Sequence, residues 1–60
     1  MNHKYFKYHV PLGWRFLRVD EQNNAQYYTY TKHWAETNYS WYNQYELIPM
    51  TKDEVFLLLL

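Results

Sequence analysis

The fold is decided by residues 14–31, which read WRFLRVDEQNNAQYYTYT. Residues 14–19 are rich in aromatic and β-branched side chains and are predicted to form a strand. Alternation along that strand places three side chains on one face: Arg15, Leu17 and Val19. Residues 26–31, built from Gln, Tyr and Thr, are predicted to form a second strand, and the polar residues 20–24 form the turn. The stretch therefore predicts an antiparallel hairpin.

The segments before the hairpin are marked by a clear turn signal. Pro11-Leu12-Gly13 contains the only glycine of the chain and one of its two prolines. Residues 3–10 mix polar and aromatic side chains without a clean period. They are consistent with either a short strand or an ordered arm.

The segment after the hairpin favours a helix. Four side chains recur at the spacing of one helical face: Trp34, Trp41, Tyr45 and Ile48. Ser40 is a possible N-cap for a helix through Trp41 to Leu47, and Pro49 would end it. The aromatic content from Tyr39 to Tyr45 lowers helix propensity and keeps a strand open as the alternative.

The local sequence pattern of the C-terminal tail is compatible with either a helix or a strand. Thr51-Lys52-Asp53-Glu54 has the spacing of a capping box, which would open a helix. Residues 55–60 are apolar on both faces when written as a strand, a pattern typical of a buried or partner-covered strand. A strand buried in a dimer is the favoured interpretation.

Composition limits what so short a chain can be. It has 60 residues, no cysteine, zero net charge and 14 aromatic residues (3 Trp, 8 Tyr and 3 Phe). One small domain is expected, with a core that is marginal at this size and no disulfide to support it. Oligomerisation through aromatic and aliphatic side chains is the expected means of stabilisation.

The zero net charge conceals an uneven distribution. Residues 1–18 carry four basic and no acidic side chains, whereas residues 19–60 carry two basic and six acidic ones. Proteins held to nucleic acid by phosphate contacts usually have a clear basic excess. Direct nucleic-acid binding is therefore not expected.

The sequence gives little support to an enzyme. It lacks a glycine-rich phosphate loop, Ser40 is its only serine, and His3, His9 and His33 lack metal-ligand spacing. We expect no catalytic residue, no metal and no cofactor. No apolar run is long enough for a signal peptide or a membrane span, so a cytoplasmic protein is expected.

A binding module is the better prediction, and one candidate is a small all-β domain. A WW domain is disfavoured because neither Trp34 nor Trp41 is followed by proline three positions later. An SH3-like barrel, with Trp41 to Ile48 as its last strand, is the stronger alternative. Such a module would bind a protein or peptide through its aromatic side chains.

A family resemblance rests on three blocks that occur in order. They are Phe16-Leu17 to Asp20-Glu21 followed by Gln26-Tyr27-Tyr28-Thr29-Tyr30 and Lys32; Tyr45-Glu46-Leu47-Ile48; and Thr51-Lys52-Asp53-Glu54-Val55-Phe56 with Leu58 and Leu60. Together they resemble the small uracil-DNA glycosylase inhibitors encoded by tailed Bacillus phages. The resemblance covers residues 14–60 as an inhibitor-like core, and residues 1–13 form a basic N-terminal arm or an extra strand.

The resemblance implies an α+β fold. It consists of an antiparallel three-stranded sheet with one helix between strands 2 and 3, assembled as a homodimer. The tail becomes the third strand. The residues expected in the core or the dimer interface are Tyr28, Tyr30, Val55, Phe56, Leu58 and Leu60.

The implied function is inhibition of the host uracil-DNA glycosylase in the bacterial cytoplasm. The inhibitor would occupy the enzyme's DNA-binding groove and mimic DNA. Tyr45 would fill the apolar recess around the side chain that the enzyme inserts into DNA, and Glu46 would mimic a phosphate. Trp41 and Tyr42 complete the predicted partner-binding set. The expected partners are the enzyme and a second copy of the chain, with no membrane.

Overall fold

A computed structural model describes residues 2–59 as one antiparallel sheet of five strands with a 3-10 helix and a C-terminal α-helix. The strands are β1 (Lys4–Val10), β2 (Gly13–Val19), β3 (Ala25–Tyr28), β4 (Trp34–Thr37) and β5 (Ile48–Met50). The 3-10 helix is Tyr39–Gln44 and helix α1 is Lys52–Leu59. The strand order is β4-β3-β2-β1-β5.

The predicted fold, a three-stranded sheet with a helix between strands 2 and 3, is wrong. The N-terminal segment forms β1, which pairs with β2 on one side and with β5 on the other. Residues 34–37 form β4 against β3, so Trp34 lies on a strand and not on the predicted helical face. These three strands extend the hairpin to a five-stranded sheet. A lone hairpin is not stable because it cannot cover its apolar face.

The predicted hairpin is confirmed as β2 and β3. Leu17 pairs with Tyr27 and Val19 with Ala25, although β3 begins at Ala25 and ends at Tyr28, earlier than expected. The turn is held by the Asp20 carboxylate, which accepts hydrogen bonds from the backbone N–H groups of residues 22 and 24 at 2.8 and 2.9 Å. These bonds, the one from residue 24 above all, lower the pKa of Asp20.

The helix predicted through Trp41 to Leu47 is also wrong. A 3-10 helix begins at Tyr39, and its N-cap is Asn38, whose side chain accepts a hydrogen bond from the backbone N–H of Ser40 at 3.1 Å. Tyr45 already has extended backbone angles, φ −111° and ψ 150°. The chain can therefore turn into β5, where Pro49 pairs with Phe6.

The tail is a helix, so its assignment as a strand buried in a dimer is wrong. Thr51 and Glu54 form a reciprocal capping box: the Thr51 N–H donates to Glu54 Oε1 at 2.9 Å, and the Glu54 N–H donates to Thr51 Oγ1 at 3.1 Å. Val55 is completely buried. Burial of the Val55 side chain stabilises a helix that is too short to form alone.

The sheet buries different side chains on its two faces. The core side carries Leu17 and the other members of the main cluster: Phe6, Tyr8, Val10, Val19, Ala25, Tyr27, Tyr39, Tyr42, Tyr45 and Leu47. On the other side, Tyr5 is 8% exposed and packs against Trp34, with their ring centroids 6.2 Å apart. Helix α1 contacts β1.

Loss of the capping box is expected to weaken the fold in a pH-dependent way. Hydrogen bonds from Thr51 lower the pKa of Glu54 below its usual 4.5, so their contribution is present above that pH and declines as the pH falls through the lowered value. We expect Glu54→Ala, which removes the carboxylate that accepts from the Thr51 N–H, to reduce the free energy of unfolding near neutral pH, and the difference to shrink in acid. Urea titrations of both proteins at neutral and acidic pH test this, and a gap that widens in acid would contradict it.

Candidate functional site

An open groove of about 870 Å³ lies on the core side of the sheet. Six aromatic side chains supply most of its wall: Tyr8, Tyr27, Tyr30, Trp41, Tyr42 and Tyr45. We call this surface the aromatic groove. It is the natural candidate for a binding site, because ligand sites are concave and mostly apolar with a few polar groups.

The 3-10 helix positions one wall of the groove. Tyr42 is 4% exposed and belongs to the core, whereas Trp41 is 62% exposed. The rings of Trp41 and Tyr42 meet edge to face, with their centroids 5.6 Å apart. A buried tyrosine thus holds an exposed tryptophan in place, and the indole is available to a partner without a large ordering cost.

The rings behind Trp41 form a continuous cluster. Tyr8 lies 5.3 Å from Tyr42 and 4.9 Å from Tyr45 between ring centroids. Tyr45 lies 6.5 Å from Trp41. Burial, followed by the nearby Tyr42, raises the pKa of Tyr8 well above its ordinary value. The Tyr8 phenol therefore stays neutral at physiological pH.

The opposite wall comes from two turns. Pro11 and Leu12 lie in the tight turn between β1 and β2, where the register runs from Val10 directly to Gly13, and Gly13 has a φ of 131°. Tyr30 follows β3 and is 85% exposed, and Leu12 is 91% exposed. Both side chains border the groove yet contribute little to the core.

Arg15 provides the charge of the groove. It is half-buried on β2 directly opposite Tyr8 on β1, and no Asp or Glu lines the groove within the described residues 2–59. Sequence reasoning placed Arg15 on the same face as Leu17 and Val19 without assigning it a role. A lone arginine on the core-facing side of a strand was the available signal for a cation at the edge of the core.

The predicted partner-binding residues are only partly brought together. Trp41, Tyr42 and Tyr45 all line the aromatic groove, with Tyr42 buried and Tyr45 half-buried against Tyr8. Glu46 is exposed and lies outside the groove lining. Sequence reasoning did not select Tyr8 or the turn residues, because their roles depend on contacts across the sheet.

The predicted core and dimer residues are spread over both faces. Tyr28 packs edge to face on Trp34 at 5.1 Å, while Tyr30 borders the groove. Val55 is buried within the chain, whereas Phe56 and Leu58 are 50% and 61% exposed. Leu60 lies outside the described residues.

On the other face of the sheet, the basic side chains of Lys7 and Arg18 pack on aromatic rings. Lys7 Nζ lies 4.9 Å from the centre of a Trp14 ring, and the Arg18 guanidinium lies 4.5 Å from that of Trp34. Arg18 Nε also donates a hydrogen bond to Gln26 Oε1 at 2.6 Å. These contacts give the cations of this face partners within the protein.

The described part of the chain offers no group of three or more His, Cys, Asp or Glu residues that would hold a metal ion. Among the same residues, no helix has the length and apolar character needed to cross a bilayer. No protein-family model matches the chain, and neither a curated protein nor a solved structure is detectably similar to it.

Proposed function

We propose that this protein is a non-enzymatic binding module whose aromatic groove holds a segment of a protein partner. The observation that carries the proposal is a wall of tyrosines with an exposed tryptophan, Trp41, fixed against a buried core. Tyr and Trp supply large, rigid contact areas at low entropic cost and dominate binding energy at protein interfaces.

The fold favours this function over the one that the family resemblance implies. An all-antiparallel sheet without a helix between strands 2 and 3 is closer to the small all-β module considered as the alternative. Trp41 and Tyr42 lie in the 3-10 helix and not in a last strand from Trp41 to Ile48. The domain is therefore rich in strands, as an SH3-like barrel is, but differs from that alternative in its last segment.

Selection of peptides from a random library displayed on phage tests the proposal. Enriched peptides are expected to shift the backbone NMR signals of groove residues such as Trp41 and Tyr30, and to leave those of the opposite face unchanged. Shifts concentrated around Trp14 and Trp34, or a failure to enrich any peptide, would contradict the proposal.

Inhibition of a uracil-DNA glycosylase is a second candidate function. It is supported by Tyr45, which lines the same groove as Trp41 and is followed by the exposed Glu46. The implied fold is wrong, so this candidate rests on the local sequence blocks alone. Half-burial of Tyr45 against Tyr8 also reduces the area that a partner can contact.

Uracil excision from an oligonucleotide by a bacterial glycosylase, with increasing amounts of the protein, tests this candidate. Loss of excision near stoichiometric amounts is expected, with recovery of excision when Tyr45→Ala or Glu46→Ala replaces the wild-type protein. Full enzyme activity in an excess of the protein excludes the candidate. The groove proposal does not depend on that result, because any protein segment is allowed as the occupant.

We also propose that the protein is a homodimer through the outer face of α1. Phe56, Leu57 and Leu58 are 50%, 72% and 61% exposed, which leaves an apolar surface on a helix of eight residues. A large contiguous apolar patch marks an interaction site, and a second copy of this helix would cover these side chains. Sedimentation equilibrium is expected to give the dimer mass and Leu57→Glu the monomer mass, with Leu12→Glu remaining dimeric. A monomer at all concentrations would rule the dimer out.

A further inference from the structure

The first part of β2 has a strand partner on one side only. β1 pairs with all seven residues of β2. On the other side of β2, β3 pairs with residues 17–19 alone. Residues 13–16 therefore form an open edge inside the sheet, which we call the free edge of β2. Its outward backbone groups are available to a further strand.

The chain that follows β3 turns away from the free edge of β2. The Thr29 N–H donates to the His33 carbonyl at 2.9 Å, and the Lys32 N–H donates to the Thr29 carbonyl at 3.0 Å, so this turn bonds to itself. Tyr30, in the same turn, is 85% exposed. Outside the strand ladders, no backbone hydrogen bond in the described part of the chain involves residues 13–16. The free edge is thus left open by the neighbouring hairpin.

The aromatic groove borders this free edge. Its lining includes Arg15, which lies on the edge, and both Tyr27 and Tyr30, which lie where the neighbouring segment turns away. Residues that pair across neighbouring strands lie on the same face of a sheet, so an added strand would present every second side chain on the groove side. An extended segment would therefore gain backbone hydrogen bonds from the edge and side-chain contacts from the groove.

The other open edges of the sheet are less suited to an added strand. β5 has three residues with Pro49 at its centre, and β4 carries the exposed Glu36 on its four residues. Residues 8–10 of β1 are also unpaired on their outer side, but the chain that enters β5 lies close to them, with the Tyr45 ring 4.9 Å from that of Tyr8. The free edge of β2 instead reads Gly-Trp-Arg-Phe, with aromatic residues that favour strands.

The charge at the free edge of β2 favours an acidic partner. Arg15 is its only charged residue, and residues 1–18 carry four basic and no acidic side chains. Opposite charges directly across from each other on neighbouring strands are stabilising, and like charges are destabilising. Two copies of this chain paired antiparallel through residues 13–16 would bring their Arg15 side chains close together. A second copy is therefore a poorer occupant than an acidic segment of another protein.

We propose, building on the function proposed above, that an extended acidic segment of a protein partner adds as a strand to the free edge of β2 and places a carboxylate opposite Arg15. Alternate side chains of this segment occupy the aromatic groove. Backbone pairing then supplies affinity, and the groove and Arg15 supply selectivity.

Amide hydrogen exchange, measured by NMR on the full chain, tests the strand addition. The probe is a peptide with blocked ends that alternates threonine with glutamate. In an antiparallel ladder, alternate amides of residues 13–16 bond to β1 and the others point outward. The peptide is expected to slow exchange of the outward amides and to leave the amides of β4 unchanged. Unchanged exchange at residues 13–16 in the bound protein overturns the inference.

A second peptide, with lysine in place of glutamate, tests the role of Arg15. Calorimetric titration is expected to show about fivefold tighter binding of the glutamate peptide, since a charge pair directly across two strands contributes up to about 1 kcal/mol. Arg15→Gln is expected to abolish this preference. Lys7→Gln is the matched control, because it removes the same charge from the opposite face, where Lys7 lies over Trp14. Equal effects of the two variants overturn the role of Arg15.

The outcomes separate this inference from the proposed function. If a library-selected peptide binds the groove without slowing exchange at residues 13–16, strand addition is overturned and the proposed function stands. If neither the glutamate peptide nor any library peptide binds, both are overturned. Protection of the outward amides in the protein alone, rising with its concentration, assigns the edge to a second copy and overturns the inference. Circular dichroism of the Arg15 and Lys7 variants checks that the sheet is retained.

Discussion

Leu17→Ala is expected to unfold a large share of the molecules at 25 °C. Leu17 is completely buried in the middle of β2, between β1 and β3, and pairs with Phe6 and Tyr27. Truncation of a buried leucine to alanine costs about 2–5 kcal/mol, through lost burial and the cavity left behind. A domain of this size is stable by only about 3–9 kcal/mol in total.

Urea denaturation followed by circular dichroism measures this effect. Leu12→Ala is the matched control, because the same truncation is made at a side chain that is 91% exposed. Its free energy of unfolding is expected to stay within about 0.5 kcal/mol of the wild-type value. Equal denaturation midpoints for Leu17→Ala and Leu12→Ala would show that the core is not centred on β2.

Trp41→Ala is expected to weaken the binding of groove peptides about 30-fold or more. The indole is 62% exposed at the groove wall and packs edge to face on the buried Tyr42, so a partner meets a rigid aromatic surface. Truncation of such an anchor commonly costs about 2 kcal/mol of binding free energy. Folding is expected to change little, because the ring lies outside the core cluster.

Trp14→Ala is the control for this prediction. Trp14 is 49% exposed, close to the exposure of Trp41, but it lies under Lys7 and is not part of the groove lining. Calorimetric titration of a library-selected peptide into both variants is expected to show the loss only for Trp41→Ala. Equal losses in the two variants would move the binding surface away from the groove.

The central hairpin could be predicted because its strands obey simple local rules. Alternation in β2 correctly placed Arg15, Leu17 and Val19 on one face, and Asp20 behaves as a turn residue should. The sequence of β1 lacks a clean period because Tyr5 and Tyr8 are both buried, one on each face. A strand covered on both sides has no clean period in its sequence.

The two errors in local structure have different physical causes. Trp41 and Tyr45 have helical spacing, but Asn38 caps a 3-10 helix, and contacts with Tyr8 hold Tyr45 in an extended conformation. In the tail, the capping box of Thr51 was visible in the sequence and is present in the structure. There, the apolar pattern on both faces of the tail, together with the family resemblance, led to a strand where local hydrogen bonding favoured a helix.

The candidate site was partly predictable from single residues. Aromatic side chains are suited to binding, and Tyr45 is indicated by its place in one of the three sequence blocks, whereas Trp41 lies outside them. Arg15 and Tyr8 become neighbours only through the pairing of β1 with β2, and Leu12 reaches the groove through a tight turn. A surface assembled from four separate segments depends on strand register, which single-residue preferences do not determine.

The short outer strands affect how the protein behaves at high concentration. β5 has three residues with Pro49 at its centre, and β4 has four residues and carries the exposed Glu36. A proline cannot donate a hydrogen bond to an incoming strand, and a charge at an outer strand disfavours stacking with another molecule. The two outermost strands of a chain so rich in aromatic residues are therefore poor templates for an incoming strand of another molecule.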